Sequence, residues 1–173
     1  MAKVANDDAL ADVLLKREQK QYWGNPFGVS SVTFVDGDID AAYAAARVRL
    51  SAVLRVNPWL CGQLDKQRRL VRPAAVSALE IDKVLSRQAV PTATRATPYE
   101  ELVTALGPLS VQGGKALVAS KGRVCRLVFV EPSAPGGEFA IVFSVSHIVA
   151  DGMPCFNMMC VCVRVCVCVC VCV

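Results

Sequence analysis

The chain has 173 residues, of which 54% are hydrophobic and 20% charged, and its net charge at pH 7 is +4. This length suits one domain with a core of its own, and scattered positive charges without interleaved aromatic residues argue against a nucleic-acid-binding surface. No run of about 18 apolar, uncharged residues predicts a membrane span. The polar N-terminal residues 1–8 lack the apolar segment of a signal peptide, so a cytoplasmic protein is predicted.

The first half of the chain carries the clearest helix signal. Residues 8–20 predict a short amphipathic helix, and residues 30–35 predict a strand. Asp38 is a good N-cap for a helix over 39–55, whose apolar residues recur at the 3–4 spacing of one buried face. Asn57-Pro58 ends that helix, because the residue before a proline is disfavoured in the helical conformation.

The remaining elements are predicted from hydrophobic periodicity and turn residues. They are, in chain order, a hairpin of 59–64 and 69–72, a short edge strand at 79–82, a loop-like segment at 86–98, a helix at 99–106, two strong strands at 124–130 and 139–146, and a helix from Gly152 onward. The loop at 132–137 between the last two strands is too long for a tight hairpin but is consistent with antiparallel neighbours.

The nine cysteines divide sharply along the chain. Cys61, Cys125 and Cys155 lie in ordinary sequence, whereas six lie in the alternating Val-Cys tail at 160–173. The tail has three interpretations: a strand with Val on one face, a soft-metal site, or a translated GT repeat. The repeat is favoured, since Cys-Val-Cys in one extended strand does not wrap a tetrahedral metal, and no metal site is predicted.

His147 is the only histidine of the chain, and it follows an apolar, strand-like run. An imidazole at the end of a buried strand can accept a proton from a hydroxyl or amine near neutral pH, which predicts a general base. Asp151 could orient the imidazole or pair with an arginine, and Gly152 permits backbone conformations that a side chain would block. The residues by themselves leave a second interpretation open, a structural histidine hydrogen-bonded at a strand end.

The stretch from Ser146 to Gly152 resembles the HxxxDG active-site motif of the chloramphenicol-acetyltransferase-like superfamily. That superfamily includes the condensation domains of peptide synthetases, the plant BAHD acyltransferases and the wax-ester synthases. The helix at 39–55 and the following segment at 56–64 also resemble an early helix and strand of this superfamily. The order of the elements around them agrees with it.

The resemblance implies transfer of an acyl group from a thioester, on CoA or a carrier-protein pantetheine arm, to a hydroxyl or amine. His147 would be the general base that activates the acceptor, Asp151 would be mainly structural, and Gly152 would shape the loop. The acyl thioester would be a co-substrate, so no tightly bound cofactor is expected. The expected partners are this thioester and a small-molecule acceptor, and no covalent acyl-enzyme is expected at Cys155.

Members of the superfamily consist of two similar halves with the active-site histidine in a tunnel between them. Residues 28–159 are therefore predicted to be the N-terminal half of such an α/β fold, with a mixed, largely antiparallel sheet flanked by helices. Residues 1–27 are predicted to be an extension with a short helix. A half-tunnel does not position two substrates, so an inactive, truncated chain with a missing C-terminal half is expected. The alternative is a non-catalytic fragment or pseudoenzyme that acts as a binding module.

Overall fold

The computed structural model describes residues 9–13, 22–26, 28–131 and 137–150. The strands within these residues are β1 (Ala9–Val13), β2 (Val29–Asp36), β3 (Gln63–Leu64), β4 (Arg69–Pro73), β5 (Leu85–Ala89), β6 (Cys125–Glu131) and β7 (Glu138–Val145). The α-helices are α1 (Ile39–Val56), α2 (Ala78–Val84), α3 (Tyr99–Leu106) and α4 (Gly114–Ser120). Short 3-10 segments follow α1 at Pro58–Cys61 and α3 at Gly107–Leu109.

The main sheet has the strand order β2-β7-β6-β5. Strand β7 pairs antiparallel with both β2 and β6, whereas β5 and β6 are parallel. A smaller antiparallel sheet has the order β1-β4-β3. The prediction of an α/β fold with a mixed, largely antiparallel sheet is therefore confirmed, as is the antiparallel pairing of the two strong strands.

Helix α1 forms where the sequence predicts it. The Asp38 carboxylate accepts hydrogen bonds from the backbone N–H groups of Asp40, at 2.8 Å, and Ala41, at 3.3 Å, which caps the helix start. The buried positions of α1 recur every four residues and form one stripe; they are Ala42, Ala46, Leu50 and Leu54. This stripe packs in the same core cluster as Leu127 and Phe129 of β6, which places α1 against one face of the main sheet.

The opposite face of the main sheet is also covered. Val128 of β6 and Val142 of β7 pack there with Leu106 of α3. Because successive side chains of a strand point to opposite faces, covering both faces requires continuous apolar runs rather than alternation. The strongly apolar sequences of β6 and β7 follow from this two-sided burial.

The first strand of the predicted hairpin is shorter than predicted: Pro58–Cys61 form a 3-10 segment, and only Gln63–Leu64 pair with β4.

Three further sequence predictions are wrong. Residues Ala9–Val13 form a strand rather than part of a helix, because they pair in antiparallel register with Arg69–Pro73. Residues Ala78–Val84 form a helix instead of an edge strand, and residues Leu85–Ala89 form a strand in a segment predicted as loop. Partners distant in sequence decide such short segments, since local periodicity over five to seven residues fits either structure.

The start of helix α2 carried a readable signal. The Ser77 hydroxyl accepts a hydrogen bond from the Glu80 backbone N–H at 3.3 Å, and Ser-x-x-Glu is a typical helix-start pattern. Ile81 and Val84 are buried at helical spacing.

The predicted helix from Gly152 onward lies outside the described residues, as does the Val-Cys tail. None of the helices in the described residues has the length and apolarity needed to cross a membrane.

The Cys61 thiol should make the stability of the protein depend on alkaline pH. The side chain is wholly buried, and this burial, with a smaller contribution from the Glu80 carboxylate, raises the pKa of the thiol to about 11. Between about pH 9 and 11 the folded thiol keeps a proton that the unfolded chain has lost, so the free energy of unfolding falls as pH rises through this window. Urea unfolding from pH 8 upward measures the effect.

Cys61→Ala is the control for that titration. The variant removes the buried thiol and should show a shallower decline than the native chain over the same pH range. An identical pH dependence in the two proteins would contradict the assignment of the effect to Cys61.

Candidate functional site

His147 lies at the point where β7 leaves the main sheet. The Ser146 backbone N–H donates to the Val124 carbonyl at 2.7 Å, which continues the strand pairing for one residue. The Ser146 carbonyl then accepts from the N–H groups of Val149, at 3.1 Å, and Ala150, at 3.3 Å. The chain therefore turns tightly at once, and this turn holds His147 at the end of a central, buried strand.

The imidazole of His147 is half-buried and stacks on the ring of Tyr22. The ring centroids are 3.8 Å apart and the ring planes differ by 11°. The Nδ1 atom of His147 is buried and has no hydrogen-bond partner among the described residues. A buried, unpaired ring nitrogen costs free energy, so structures usually satisfy such atoms unless the site has a further role.

The segment that carries Tyr22 is held beside His147 through the start of α4. The Gly113 N–H donates to the Pro26 carbonyl at 2.8 Å. A Cβ atom on Gly114 would lie 3.0 Å from Cε3 of Trp23 and still closer to the side chain of Ile148. The absence of side chains at positions 113 and 114 thus lets residues 22–26, α4 and the His147 turn pack together.

A buried serine fixes the strand that leads to His147. Ser144 is fully buried, and its hydroxyl lies 2.8 Å from the hydroxyl of Ser30 on β2. The same oxygen accepts a hydrogen bond from the Val111 N–H at 2.9 Å, and the Val111 carbonyl accepts one from Gly28 at 3.0 Å. Strands β2 and β7 and the loop before α4 are therefore joined just before the turn.

The other predicted site residues, Asp151 and Gly152, lie outside the described residues, so their roles stay predictions. Within 9–13, 22–26, 28–131 and 137–150, no group of three or more His, Cys, Asp or Glu side chains is arranged to hold a metal ion. Sequence reasoning singled out His147 but missed Tyr22 and Ser144. The Gly113-Gly114 pair was a visible signal for close packing, whereas nothing in the sequence connects Tyr22 to His147.

Comparisons with known proteins give fold-level matches only. No family model matches the chain, and no curated protein matches it. Among solved structures, the chain is similar to the starter condensation domain of rhizomide synthetase, with 16% identity and a TM-score of 0.55 over 91% of this chain and 38% of the other. It is also similar to TRI101 of F. sporotrichioides, solved with coenzyme A and T-2, with 11% identity and a TM-score of 0.57 over 91% and 41%.

A third match is the wax ester synthase/diacylglycerol acyltransferase of Marinobacter aquaeolei VT8. Here the identity is 15% and the TM-score 0.50, over 85% of this chain and 36% of that chain. The chain thus spans between about a third and two fifths of the length of these structures. At such low identity the likeness shows the fold alone, and this fold agrees with the one that the resemblance implied. The chain has the fold of one part of each of these three structures.

Proposed function

We propose that this chain carries the general base of an acyltransferase that moves an acyl group from a thioester to a hydroxyl or amine, with His147 as the base. The observation that carries the proposal is the position of the His147 imidazole and its contacts. It is held at a strand end, stacked on Tyr22 at 3.8 Å, with a buried Nδ1 that lacks a partner among the described residues. A structural histidine at a strand end would be expected to use that nitrogen in a hydrogen bond.

The reaction would proceed through one proton transfer in each direction. His147 takes the proton of the acceptor hydroxyl or amine while the acceptor atom forms a bond to the thioester carbonyl carbon. The carbon–sulfur bond then breaks, and the imidazolium returns the proton to the departing thiolate. The products are an ester or amide and a free thiol, so no metal or redox partner is needed for balance.

The acyl donor would be a co-substrate, on CoA or on a carrier-protein pantetheine arm. The presence of coenzyme A in the structure of TRI101 supports a thioester of this kind. Because the chain spans between about a third and two fifths of the three structures described above, the remaining walls of the site would come from a second half. Asp151 and Gly152 would shape the loop after His147, as the HxxxDG resemblance implies.

One observation favours a second candidate, a non-catalytic binding module. The three structures described above are each more than twice as long as this chain, and positioning of both substrates supplies much of the rate of such reactions. On this alternative, the fold would bind an acyl thioester or a second half without turning over. Transcript sequencing across residues 155–173 distinguishes a real C-terminus from a protein that continues past Met159.

The decisive assay measures thioester consumption by chromatography with acetyl-CoA and a panel of hydroxyl and amine acceptors. For the protein that the transcript encodes, His147→Ala should lower the rate by about 10²- to 10⁴-fold, because a positioned general base contributes that much. Val48→Ala, at a position 71% exposed on α1, is the control and should leave the rate unchanged. Full activity in His147→Ala would rule out the proposal, and binding without turnover would favour the alternative.

A further inference from the structure

A pocket with several charged and polar side chains in its wall, separate from His147, lies between α2, α4 and the start of β6. Its volume is about 480 Å³, within the usual range of small-molecule sites. Three cationic side chains line it: Lys83, Arg123 and Arg126. Four uncharged side chains that can form hydrogen bonds also line it: Gln63, Ser110, Gln112 and Ser120.

Two of the cations share one carboxylate. Nη2 of Arg123 lies 2.7 Å from Oε2 of Glu80, off the hydrogen-bond direction, so this contact is an ion pair rather than a hydrogen bond. Nζ of Lys83 donates to Oε1 of the same Glu80 at 2.7 Å. Arg123 and Glu80 are both largely buried, with side chains 13% and 14% exposed. One negative charge therefore balances two positive charges at this side of the pocket.

Arg126 has no such balance. The ion pairs of the described residues do not include Arg126, and Nη1 of its guanidinium makes only a long contact of 3.5 Å with the carbonyl of Pro108. Burial lowers the pKa of this guanidinium, since partial removal from water disfavours the charged form. With one carboxylate against three cations, the pocket holds a net charge of +2 in a partly water-excluded setting.

We propose that this pocket binds the phosphate group of a small molecule, with Arg126 and Lys83 as the principal contacts. A phosphate monoester carries close to two negative charges at neutral pH, which matches the net charge of the lining. The planar guanidinium fits a tetrahedral oxyanion with two parallel hydrogen bonds, and Lys83 supplies a second, flexible point charge. The volume exceeds the needs of a bare phosphate, so it admits the organic group attached to it.

The pocket stands apart from the acyl-transfer chemistry proposed above, and neither requires the other. Its wall shares Val111 and Leu117 with the core cluster that contains Ile148, next to His147. The phosphate could therefore belong to a thioester carrier such as CoA or to an unrelated phosphorylated ligand. Both kinds of ligand carry a phosphate group, and the experiment below distinguishes between them.

Isothermal titration of the full chain with inorganic pyrophosphate at low salt tests the pocket. We expect saturable binding that weakens at higher ionic strength. Arg126→Gln and Lys83→Gln should each reduce affinity by about tenfold or more, because charge-assisted hydrogen bonds are lost. Lys115→Gln is the matched control: it removes the same charge from an exposed position on α4 that does not line the pocket, and it should leave affinity unchanged.

Absence of saturable binding would overturn the inference, as would equal weakening by Lys83→Gln and Lys115→Gln, since that result indicates unspecific attraction to net charge. Lys83 is 41% exposed, so its variant should fold even if Arg126→Gln does not.

Titration with coenzyme A and with phosphate-free pantetheine then identifies which kind of ligand carries the phosphate. Binding of coenzyme A that needs Arg126, with none of pantetheine, assigns the phosphate to a thioester carrier; pyrophosphate binding alone assigns it to another ligand.

Discussion

Gly113→Ala should lower the free energy of unfolding by about 3 kcal/mol, because the new methyl group meets backbone that has nowhere to move. A Cβ atom at position 113 would overlap the carbonyl oxygen of Asn25 and lie 2.7 Å from the carbonyl carbon of Asn25 and 2.8 Å from that of Pro26. No change of rotamer relieves a clash with backbone atoms. Moving residues 22–26 away would also lengthen the hydrogen bond from Gly113 to Pro26, now 2.8 Å.

The same substitution should disturb the imidazole. Residues 22–26 carry Tyr22, so their displacement should break its stacking on His147. Because His147 is the only histidine, its ring protons give a single set of resonances in a proton NMR spectrum. These resonances should lose the upfield shift that a stacked Tyr22 ring produces.

Gly24→Ala is the matched control for Gly113→Ala. Apart from its chain neighbours, nothing lies within 4 Å of a Cβ atom at position 24, its φ is not positive, and no proline directly follows it. This variant should be neutral or slightly stabilised, because alanine restricts the unfolded chain more than glycine does. Urea unfolding of both proteins measures the difference, and equal stability would contradict the packing described for residues 22–26 against α4.

Phe129→Ala should cost about 3–5 kcal/mol, the usual range for removing a buried phenyl ring. Phe129 is fully buried in β6, one of the two inner strands of the main sheet. Its ring meets Tyr43 edge-on at 5.3 Å and lies nearly parallel to Phe139 at 6.0 Å. The ring thus links α1 to two strands of the main sheet, and a cavity there loses contacts on several sides at once.

Two companion variants separate a cavity effect from general sensitivity. Phe129→Leu keeps most of the volume and should lose less stability than Phe129→Ala. Val48→Ala shortens a side chain that is 71% exposed and should change stability by less than about 0.5 kcal/mol. If Phe129→Ala unfolded at the same urea concentration as Val48→Ala, the assignment of this core would be wrong.

Much of the fold could be predicted from local signals. The helix at Ile39–Val56 has a capping aspartate, a long apolar stripe and a terminating proline, so the local signals along its whole length all favour a helix. Strands β6 and β7 are long apolar runs that two-sided burial requires. Ala9–Val13 and Ala78–Val84 were predicted wrongly because a few residues carry weak preferences, which pairing with β4 or packing under α1 outweighs.

His147 was evident from the sequence by itself, as the lone histidine after a buried strand in a stretch that resembles HxxxDG. Its surroundings required the tertiary structure. Tyr22 stacks on His147, and the hydroxyl of Ser30 contacts that of Ser144. Arg123 pairs with a carboxylate, whereas Arg126 contacts only the carbonyl of Pro108. Each of these contacts involves residues far apart in the chain. Sequence patterns report what each residue prefers locally, whereas partnership and burial depend on which distant elements the fold brings together.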